Sequence, residues 1–357
     1  MALIHLRVEG VRIIQSAELS PGPGFNLITG ANAAGKTSLL EAIYLLGTAR
    51  SFRTHRLDEV RRRQAETLQV VGRVNEGARV VVQGLRRRGA VTELRVDGEA
   101  VSRASALAEG LAVQVITPDA HALLEQGPRE RRRFLDWGVF HVEHGYRRAW
   151  QEYYRALRQR NAALRQGAPD RLVKQWDGPL VQAASRLDEA RRKYVDSLRP
   201  HLDAAASALL GESPEVGYRP GWGAGRDLAE VLSEQLPGDR ERGFTHAGPH
   251  RADLELAAGG VPVRSLYSRG QQKLLVAALV LAQVRCLGDS GQGRAVLLVD
   301  DLAAELDRGR RSALLELLAD SGAQVFITAT EPELVSLPPG RPHRVFHVEH
   351  GRVRQVV

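Results

Sequence analysis

The stretch Gly30-Ala31-Asn32-Ala33-Ala34-Gly35-Lys36-Thr37 decides how this sequence folds. It matches the pattern G-x-x-x-x-G-K-[ST], follows the apolar run Phe25–Thr29 and opens a segment with leucines at helical spacing. A strand, a glycine loop and a helix in this order direct backbone N–H groups and a helix N-terminus at phosphate. Lys36 is then expected to contact the β- and γ-phosphates and Thr37 to bind Mg²⁺. The stretch predicts a site for ATP and Mg²⁺; the alternative is a chance match in a turn.

A second candidate site lies near the other end of the chain, where the apolar run Val296–Val299 is followed by Asp300 and Asp301. Four apolar residues that end in acids are typical of a buried parallel strand whose carboxyl end faces a ligand. Asp300 is expected to hold Mg²⁺ and Asp301 to orient the attacking water. The catalytic candidates are therefore Lys36, Asp300 and Asp301, although one of the acids could instead cap the next helix.

A third candidate is Ser268-Arg269-Gly270-Gln271, which opens an apolar helix predicted from about Arg269 to Cys286. The first N–H groups of a helix lack partners and can bind phosphate. An ordinary helix start is the alternative interpretation.

The order of strand-like and helix-like segments along the sequence predicts an α/β fold in two lobes. Strand-like segments dominate residues 1–117 and 243–357, which form a discontinuous lobe I with a mixed sheet. Residues 118–242 form a mostly helical lobe II, which is too short and irregular for a long coiled coil. Within it, residues 213–239 are interpreted as a loop-rich return. The heptapeptide VFHVEHG occurs at 139–145 and at 345–351, and we interpret this repeat as chance.

Charge points to a polyanionic partner. The 357 residues include 50 Lys and Arg against 42 Asp and Glu, for a formal net charge of +8. Between Arg129 and Arg165 there are ten arginines and four acidic residues. The planar guanidinium group of arginine can bind a phosphate through two parallel hydrogen bonds. A local excess of arginine therefore favours a surface that binds nucleic acid. Coding bias is the alternative, because 46 of the 50 basic residues are arginines.

Composition also excludes several classes. One cysteine, Cys286, rules out a disulfide framework and a multi-cysteine zinc site. No apolar run is long enough to cross a membrane, so no membrane partner is expected. A cytoplasmic, nucleoid-associated protein is the expectation.

Together the three motifs, in this order, resemble the ATP-binding-cassette (ABC-type) P-loop ATPase heads of the SMC-type chromosome-maintenance family. The resemblance implies that Ser268–Gln271 is the signature motif, which contacts the γ-phosphate bound to a second subunit. It also implies that Ala304-Glu305-Leu306-Asp307 is the D-loop between subunits. Thr330 takes the position of the switch residue, which is usually histidine.

Within that family the sequence is similar to the RecF family of bacterial DNA replication and repair proteins. Besides the nucleotide motifs, the similarity is carried by Pro118-Asp119, Leu123-Leu124, Gly127–Asp136, Gln159-Arg160-Asn161 and Gly248–Asp253. It implies an ATP-dependent homodimer at junctions of single- and double-stranded DNA, acting in recombination and the SOS response with RecR, RecO and RecA.

Three departures from the family pattern bear on the reaction. Arg269 replaces a small residue, Asp301 stands where many relatives have Glu, and Thr330 replaces His. A shorter carboxylate without a switch histidine positions water less well, so we expect slow, DNA-dependent hydrolysis of ATP that acts as a timing switch.

No base-reading motif is visible, so DNA contacts are expected to be mainly to phosphates and sensitive to salt. The candidate contacts are Arg61, Arg62, Arg63, Arg129, Arg131, Arg132, Arg133, Arg147, Arg148, Arg155 and Arg158. Each of them could instead pair with an acidic residue on a solvated surface.

Other classes of protein stay open on the sequence alone. A transporter ATPase subunit shares the nucleotide motifs but needs a surface for membrane-embedded helices. A structural chromosome clamp binds ATP without hydrolysing it. A kinase shares only the phosphate loop.

Overall fold

A computed structural model describes residues 1–301 and 306–356. The contacts between residues divide the chain into two compact units. Unit 1 is Met1–Ala120 with Lys273–Val357, and unit 2 is His121–Gln272. The first segment of unit 1 contains β1 (Ala2–Val11), β2 (Ile14–Leu19), β3 (Phe25–Thr29), α1 (Lys36–Thr48), β4 (Thr67–Asn75), β5 (Val80–Arg88), β6 (Val91–Val96), β7 (Glu99–Val101), α2 (Ser105–Gly110) and β8 (Val113–Ile116).

The remaining elements follow in chain order. Unit 2 contains α3 (Ala122–Glu125), α4 (Pro128–Val142), α5 (Tyr146–Arg165), α6 (Asp170–Lys174), α7 (Asp177–Leu210), β9 (Glu215–Arg219), α8 (Leu228–Glu234), α9 (Leu236–Arg242), β10 (Asp253–Ala258), β11 (Val261–Pro262) and α10 (Val263–Leu266). Helix α11 (Arg269–Asp289) starts in unit 2 and continues in unit 1. The rest of unit 1 contains β12 (Val296–Val299), α12 (Arg308–Asp320), β13 (Gln324–Ala329), β14 (His343–Glu349) and β15 (Arg352–Gln355).

One sheet of unit 1 positions the nucleotide motifs. Its order is β15-β14-β3-β13-β12-β8, with β14, β3, β13, β12 and β8 parallel and β15 antiparallel at the edge. Every residue of β3, β12 and β13 is buried, as expected for parallel strands covered on both faces. Parallel strands end at the same edge, so the loop after β3 and the acids after β12 lie on either side of the end of β13.

The second sheet of unit 1 is antiparallel, in the order β2-β1-β4-β5-β6-β7. Helix α1 packs against strands of both sheets, and its Leu39, Leu40, Ile43 and Leu46 are fully buried in a core shared with them. Burial of large apolar side chains stabilises this arrangement by about 1.5–3 kcal/mol each. The helix that begins at the phosphate loop is therefore fixed on two sides.

Unit 2 is mostly helical. Its longest helix, the 34-residue α7, packs against α5, and a small sheet joins β9, β10 and β11. Two fully buried arginines lie in it: Arg160 contacts Asp177 and Asp239, and Arg191 contacts Asp136. Polar networks thus replace part of the apolar core. Within residues 1–301 and 306–356 no helix has the length and hydrophobicity needed to cross a bilayer.

The boundaries differ from the prediction by three residues at the start of the helical lobe and by thirty at its end. The helical lobe was expected to end at residue 242, whereas unit 2 continues to Gln272. The reason is that β10 pairs with β9, and Asp253 at its start accepts two hydrogen bonds from Arg131. Residues 213–239 are also less irregular than expected, because they contain β9, α8 and α9.

Candidate nucleotide-binding site

The loop between β3 and α1 has a backbone that favours glycine. Gly30 and Gly35 have φ angles of +148° and +120°, and Ala33 between them has +62°. A Cβ at Gly30 would lie 2.2 Å from the carbonyl oxygen of Val348 in β14, so no side chain fits there. The loop closes tightly on the start of α1, whose first N–H groups can bind an anion.

Lys36 lies over this loop. Its side chain is almost fully buried, and Nζ donates hydrogen bonds to the carbonyl oxygens of Gly30 at 2.8 Å and Ala31 at 3.1 Å. The ammonium group is thus held at the loop by neutral acceptors, which a phosphate can replace with a charged one.

Thr37 and Asp300, the two residues predicted to hold Mg²⁺, are in direct contact. Thr37 Oγ1 lies 2.9 and 3.0 Å from the two carboxylate oxygens of Asp300. Asp300 is 6% exposed, and this burial raises the pKa of its carboxyl above the ordinary value, although hydrogen bonds from Thr328 and Thr37 oppose the shift. A buried carboxylate in this position gains from a nearby cation.

This donor set fits Mg²⁺. The ion prefers oxygen ligands and is usually held by one or two carboxylates together with substrate phosphates. A hydroxyl and a carboxylate beside a phosphate loop supply that combination. Over the described ranges no group of three or more His, Cys, Asp or Glu side chains could hold a metal by itself.

Thr328, which was not predicted, connects the two acids. Its Oγ1 donates to Asp300 Oδ1 at 2.8 Å and accepts from the backbone N–H of Asp301 at 2.9 Å. The side chain is fully buried, and Asp301 has a φ of +45°, which is uncommon outside glycine. The signal that could have found it is a hydroxyl that follows the apolar run Val325–Ile327 in the strand beside the acidic strand.

The remaining predicted residues of this site are placed as follows. Thr330 lies in the bend directly after β13 and is partly buried. Asp307 caps α12, because its Oδ1 accepts a hydrogen bond from the backbone N–H of Arg310 at 3.0 Å. Ala304 and Glu305 of the predicted D-loop lie outside the described residues.

An open cavity of about 560 Å³ adjoins the phosphate loop. It lies between the β1–β2 and β14–β15 turns, and the backbone N–H of Gly351 donates to the carbonyl oxygen of Ala34 at 2.9 Å. Its lining residues are Ile13, Gln15, Ser16, Arg62, Glu349, His350, Gly351 and Arg352.

The predicted signature motif caps α11 in unit 2. The backbone N–H of Ser268 donates to Gln271 Oε1 at 2.9 Å, and the N–H of Gln271 donates to Ser268 Oγ at 3.3 Å. This reciprocal pair is a capping box. Ser268, Arg269 and Gly270 are exposed, and the nearest atom to a Cβ built on Gly270 is Ser268 Oγ at 4.0 Å. The helix start is therefore open to another surface.

Comparisons with known proteins agree with this geometry. A family model described as RecF/RecN/SMC N terminal domain matches residues 2–354. The DNA replication and repair protein RecF of Shewanella oneidensis is 44% identical over 356 residues, which cover 99% of each chain. The protein of the same name from Shewanella baltica is 45% identical over the same share.

The chain belongs to the RecF family.

Solved structures extend the RecF-family similarity to the fold. The recombination mediator protein RecF-ATP in the RecFOR pathway has a TM-score of 0.87 at 25% identity, over 99% of this chain and 97% of that one. The RecF-ATPrS form has a TM-score of 0.84 at 26% identity, over 100% and 98%. An SmcHead bound to the C-winged helix domain of ScpA shares the fold, with a TM-score of 0.61 at 15% identity, over 100% and 97%. The predicted ATPase-head fold is confirmed.

Two of the predicted DNA contacts in this RecF-family chain are used inside unit 2. Arg131 forms a two-pronged ion pair with Asp253, at 2.8 and 2.9 Å, and its side chain is only 11% exposed. Arg132 donates to the carbonyl oxygen of Ala252 at 2.7 Å, and burial lowers its pKa. Their guanidinium groups thus hold α4 to residues 252 and 253 at the start of β10, and their contact with DNA stays a prediction.

The other predicted arginines range from partly buried, at Arg61 and Arg62, to exposed. Arg63, Arg129, Arg133 and Arg148 are exposed, and Arg147 is partly exposed. Arg133 pairs with Glu130 and Arg148 with Glu152, each at 2.8 Å. Arg61 and Arg62 donate to backbone carbonyls, of Ala65 and Glu66 and of Ile13 respectively.

Two stretches that carried the RecF-family similarity meet in one network. Asn161 Oδ1 accepts from both the N–H and Oγ1 of Thr245, and Arg160 donates to the same Oγ1. His250 Nε2 lies 3.0 Å from the carbonyl oxygen of Thr245, and its Nδ1 lies 2.6 Å from the hydroxyl of buried Tyr153. Burial lowers the pKa of His250 to about 4. The network therefore joins α5 to the segment before β10 through buried and partly buried hydrogen bonds.

Proposed function

We propose that this chain is an ATP-dependent DNA-binding protein of recombinational repair and replication. Two copies close on ATP at a junction of single- and double-stranded DNA, and slow hydrolysis to ADP and phosphate releases them. The observation that carries this is the exposed, capped start of α11 at Ser268–Gly270, in a chain whose Lys36 and Thr37–Asp300 pair form a phosphate site. An exposed helix N-terminus with an open glycine is suited to contact the phosphate held by another copy.

The residues of unit 1 divide the chemistry between them. Lys36 exchanges the carbonyls of Gly30 and Ala31 for phosphate oxygens, and the loop amides hold the same group. Thr37 and Asp300 would hold Mg²⁺, which would neutralise charge on the β- and γ-phosphates. Asp301 orients the attacking water, and its backbone is held by Thr328.

The base and ribose are proposed to occupy the cavity beside the phosphate loop. Ile13 lines it with an apolar side chain, and Gln15, Ser16 and Arg62 line it with groups that can form hydrogen bonds. Its position next to Gly35 and Ala34 keeps these groups near a nucleotide whose phosphates lie in the loop.

Hydrolysis is expected to be slow. Asp301 is one methylene shorter than the glutamate common in the wider family, and Thr330 cannot supply the imidazole of a switch histidine. A poorly positioned water lowers the rate of hydrolysis, because the orientation of the attacking group is a large part of catalysis in phosphoryl transfer. A slow step suits a timer for release from DNA.

The partners follow from the family. The relatives named above are DNA replication and repair proteins, and two of the similar structures are of the recombination mediator protein RecF in the RecFOR pathway. We therefore propose gapped DNA, RecR and RecO as partners, with delivery of RecA, in the cytoplasm on the nucleoid and in the SOS response.

Analytical sedimentation tests the shared site. We expect an ATP-dependent dimer that gapped DNA stabilises more strongly at low salt. Ser268→Arg should stay monomeric with ATP, because the bulky cation blocks the helix start. Ser265→Arg is the matched control, since Ser265 is also exposed but lies in α10. A Ser268→Arg chain that dimerises and turns over ATP like the parent would refute the proposal.

Asp301→Asn separates a hydrolytic switch from a static clamp. If Asp301 orients water, the variant should still dimerise on ATP, and the dimer should persist longer because turnover falls. Unchanged turnover and lifetime would favour a clamp that never hydrolyses its nucleotide.

A further inference from the structure

The outer surface of α5 carries an unusual density of positive charge. The helix contains six arginines and a single acidic residue, Glu152, which already pairs with Arg148 and Arg186. Arg155, Arg158 and Arg165 are exposed. Considering residues 1–301 and 306–356, none of these three has a carboxylate within 4.0 Å. Such a surface attracts a polyanion.

An exposed aromatic side chain lies at the N-terminal part of the same surface. Trp150 is 38% exposed, and its ring centroid lies 4.3 Å from that of Tyr154, at an interplanar angle of 43°. Tyr154 in turn contacts the fully buried Tyr153. Trp150 therefore packs through Tyr154 on the buried interior of unit 2, while part of its ring is exposed to solvent.

Helical spacing joins the aromatic to the arginines. Trp150, Tyr154 and Arg158 are four residues apart and so follow one another along one side of α5. From Trp150 to Arg165 the helix rises by about 22 Å, enough for a short run of nucleotides. Arg165 lies about 60° around the helix axis from Trp150, and Arg155 about 140°, so the arginines border the aromatic ring on one side of it rather than in a single line. An aromatic ring bordered by exposed cations is the pattern of a surface that binds an unpaired strand.

We propose that this surface, formed by Trp150, Arg155, Arg158 and Arg165, binds single-stranded DNA, with one base stacked on Trp150. This inference rests on the proposed function and assigns a site for the unpaired strand. A duplex keeps its bases stacked on one another, so it can meet the arginines but leaves Trp150 without a partner. An unpaired strand satisfies both, because its bases present free aromatic faces.

The test compares two probes of equal charge. Binding of a fifteen-nucleotide oligothymidylate and of an abasic oligomer of the same length is measured with the full chain. Trp150→Ala should weaken binding of the thymidylate roughly tenfold and leave the abasic oligomer unchanged. Trp150→Phe should restore most of the loss, because the smaller ring still stacks.

The control for Trp150 is Phe244→Ala. Phe244 is also 38% exposed, but its ring is already contacted by His246 and Arg251. This variant should bind both oligomers like the parent. Thermal unfolding of every variant checks that unit 2 remains folded.

The contribution of the arginines is measured separately, by the salt dependence of binding. Changing Arg155 and Arg158 together to Gln should weaken both oligomers and reduce the slope of log affinity against log salt by about 1.4. Equal loss of both oligomers in Trp150→Ala, or no loss, would overturn the stacking assignment. If the parent binds thymidylate and Trp150→Ala binds it equally, only this inference fails. If the parent binds no DNA of any kind, the proposed function fails instead.

Discussion

Replacement of Thr328 by valine tests whether the two acids depend on the strand between them and the phosphate loop. Valine has nearly the shape of threonine, so no cavity forms at this fully buried position. The change removes a hydrogen bond to the Asp300 carboxylate at 2.8 Å and leaves the N–H of Asp301 without its acceptor at 2.9 Å. A bond to a charged group contributes about 1.5–3 kcal/mol and an orphaned buried N–H costs about 1–3 kcal/mol. We expect a loss of roughly 2.5–6 kcal/mol in the free energy of unfolding, the sum of these two contributions.

The same substitution should weaken nucleotide binding. The Thr328 hydroxyl is one of the groups that lower the pKa of Asp300, so its loss raises that pKa further above the ordinary value. The carboxylate then holds its charge less well, and the affinity for ATP in the presence of Mg²⁺ should fall roughly tenfold, a change of about 1.4 kcal/mol.

The assay combines urea unfolding with ATP titration at fixed Mg²⁺. Thr328→Ser is the matched control, because it keeps Oγ and removes only a methyl group. We expect Ser to retain nearly all of the ATP affinity and Val to lose it. If Val and the parent agree in both stability and affinity, the hydroxyl does not organise the acids and the reasoning is refuted.

Three further substitutions give distinct outcomes. Gly30→Ala should lower the free energy of unfolding by at least about 2 kcal/mol and abolish ATP binding, because its Cβ would lie 2.2 Å from the carbonyl oxygen of Val348. Gly77→Ala is the control in the same unfolding assay, because Gly77 also has a positive φ but a Cβ there would meet nothing within 4 Å. Gly270→Ala should leave unfolding unchanged or raise its free energy by up to about 1 kcal/mol, yet weaken ATP-dependent dimerisation in sedimentation. Asp300→Asn should stabilise the nucleotide-free chain at pH 7 by about 1 kcal/mol while abolishing Mg²⁺-dependent ATP binding. The pKa of Asp300 is raised in the folded chain, so its ionised carboxylate lowers the stability of the fold at pH values above that pKa. This destabilisation disappears as the pH falls and the carboxyl is protonated. The parent and Asp300→Asn should therefore have similar free energies of unfolding at acidic pH.

The phosphate loop and the acidic strand could be predicted because each is contiguous in sequence. Gly30, Gly35 and Lys36 occur within one short segment, and the strand–loop–helix order around them is a local pattern. Asp300 follows four apolar residues, which identifies the end of a buried strand. The meeting of Thr37 and Asp300 then follows from the parallel topology.

Contacts between distant segments were not predictable in the same way. Thr328 becomes important only because β13 lies between β3 and β12. Arg131 looked like a surface cation until its partner Asp253, 122 residues later, was placed beside it.

The repeated heptapeptide shows the limit most directly. VFHV is helical, at the end of α4, in the copy that starts at Val139, and it belongs to a strand, β14, in the copy that starts at Val345. The same letters have one local propensity, so packing against neighbours decides the outcome.

The position of β3 has a consequence for how the protein is made. Its two neighbours in the sheet, β13 and β14, come from residues 324–349, almost 300 residues after the phosphate loop leaves the ribosome. At about 5–20 residues per second, the loop waits for some 15–60 seconds before its flanking strands exist. A nascent or prematurely terminated chain therefore carries the glycine motif without its two flanking strands, and only chains translated through the β14–β15 hairpin can complete the sheet around the phosphate loop.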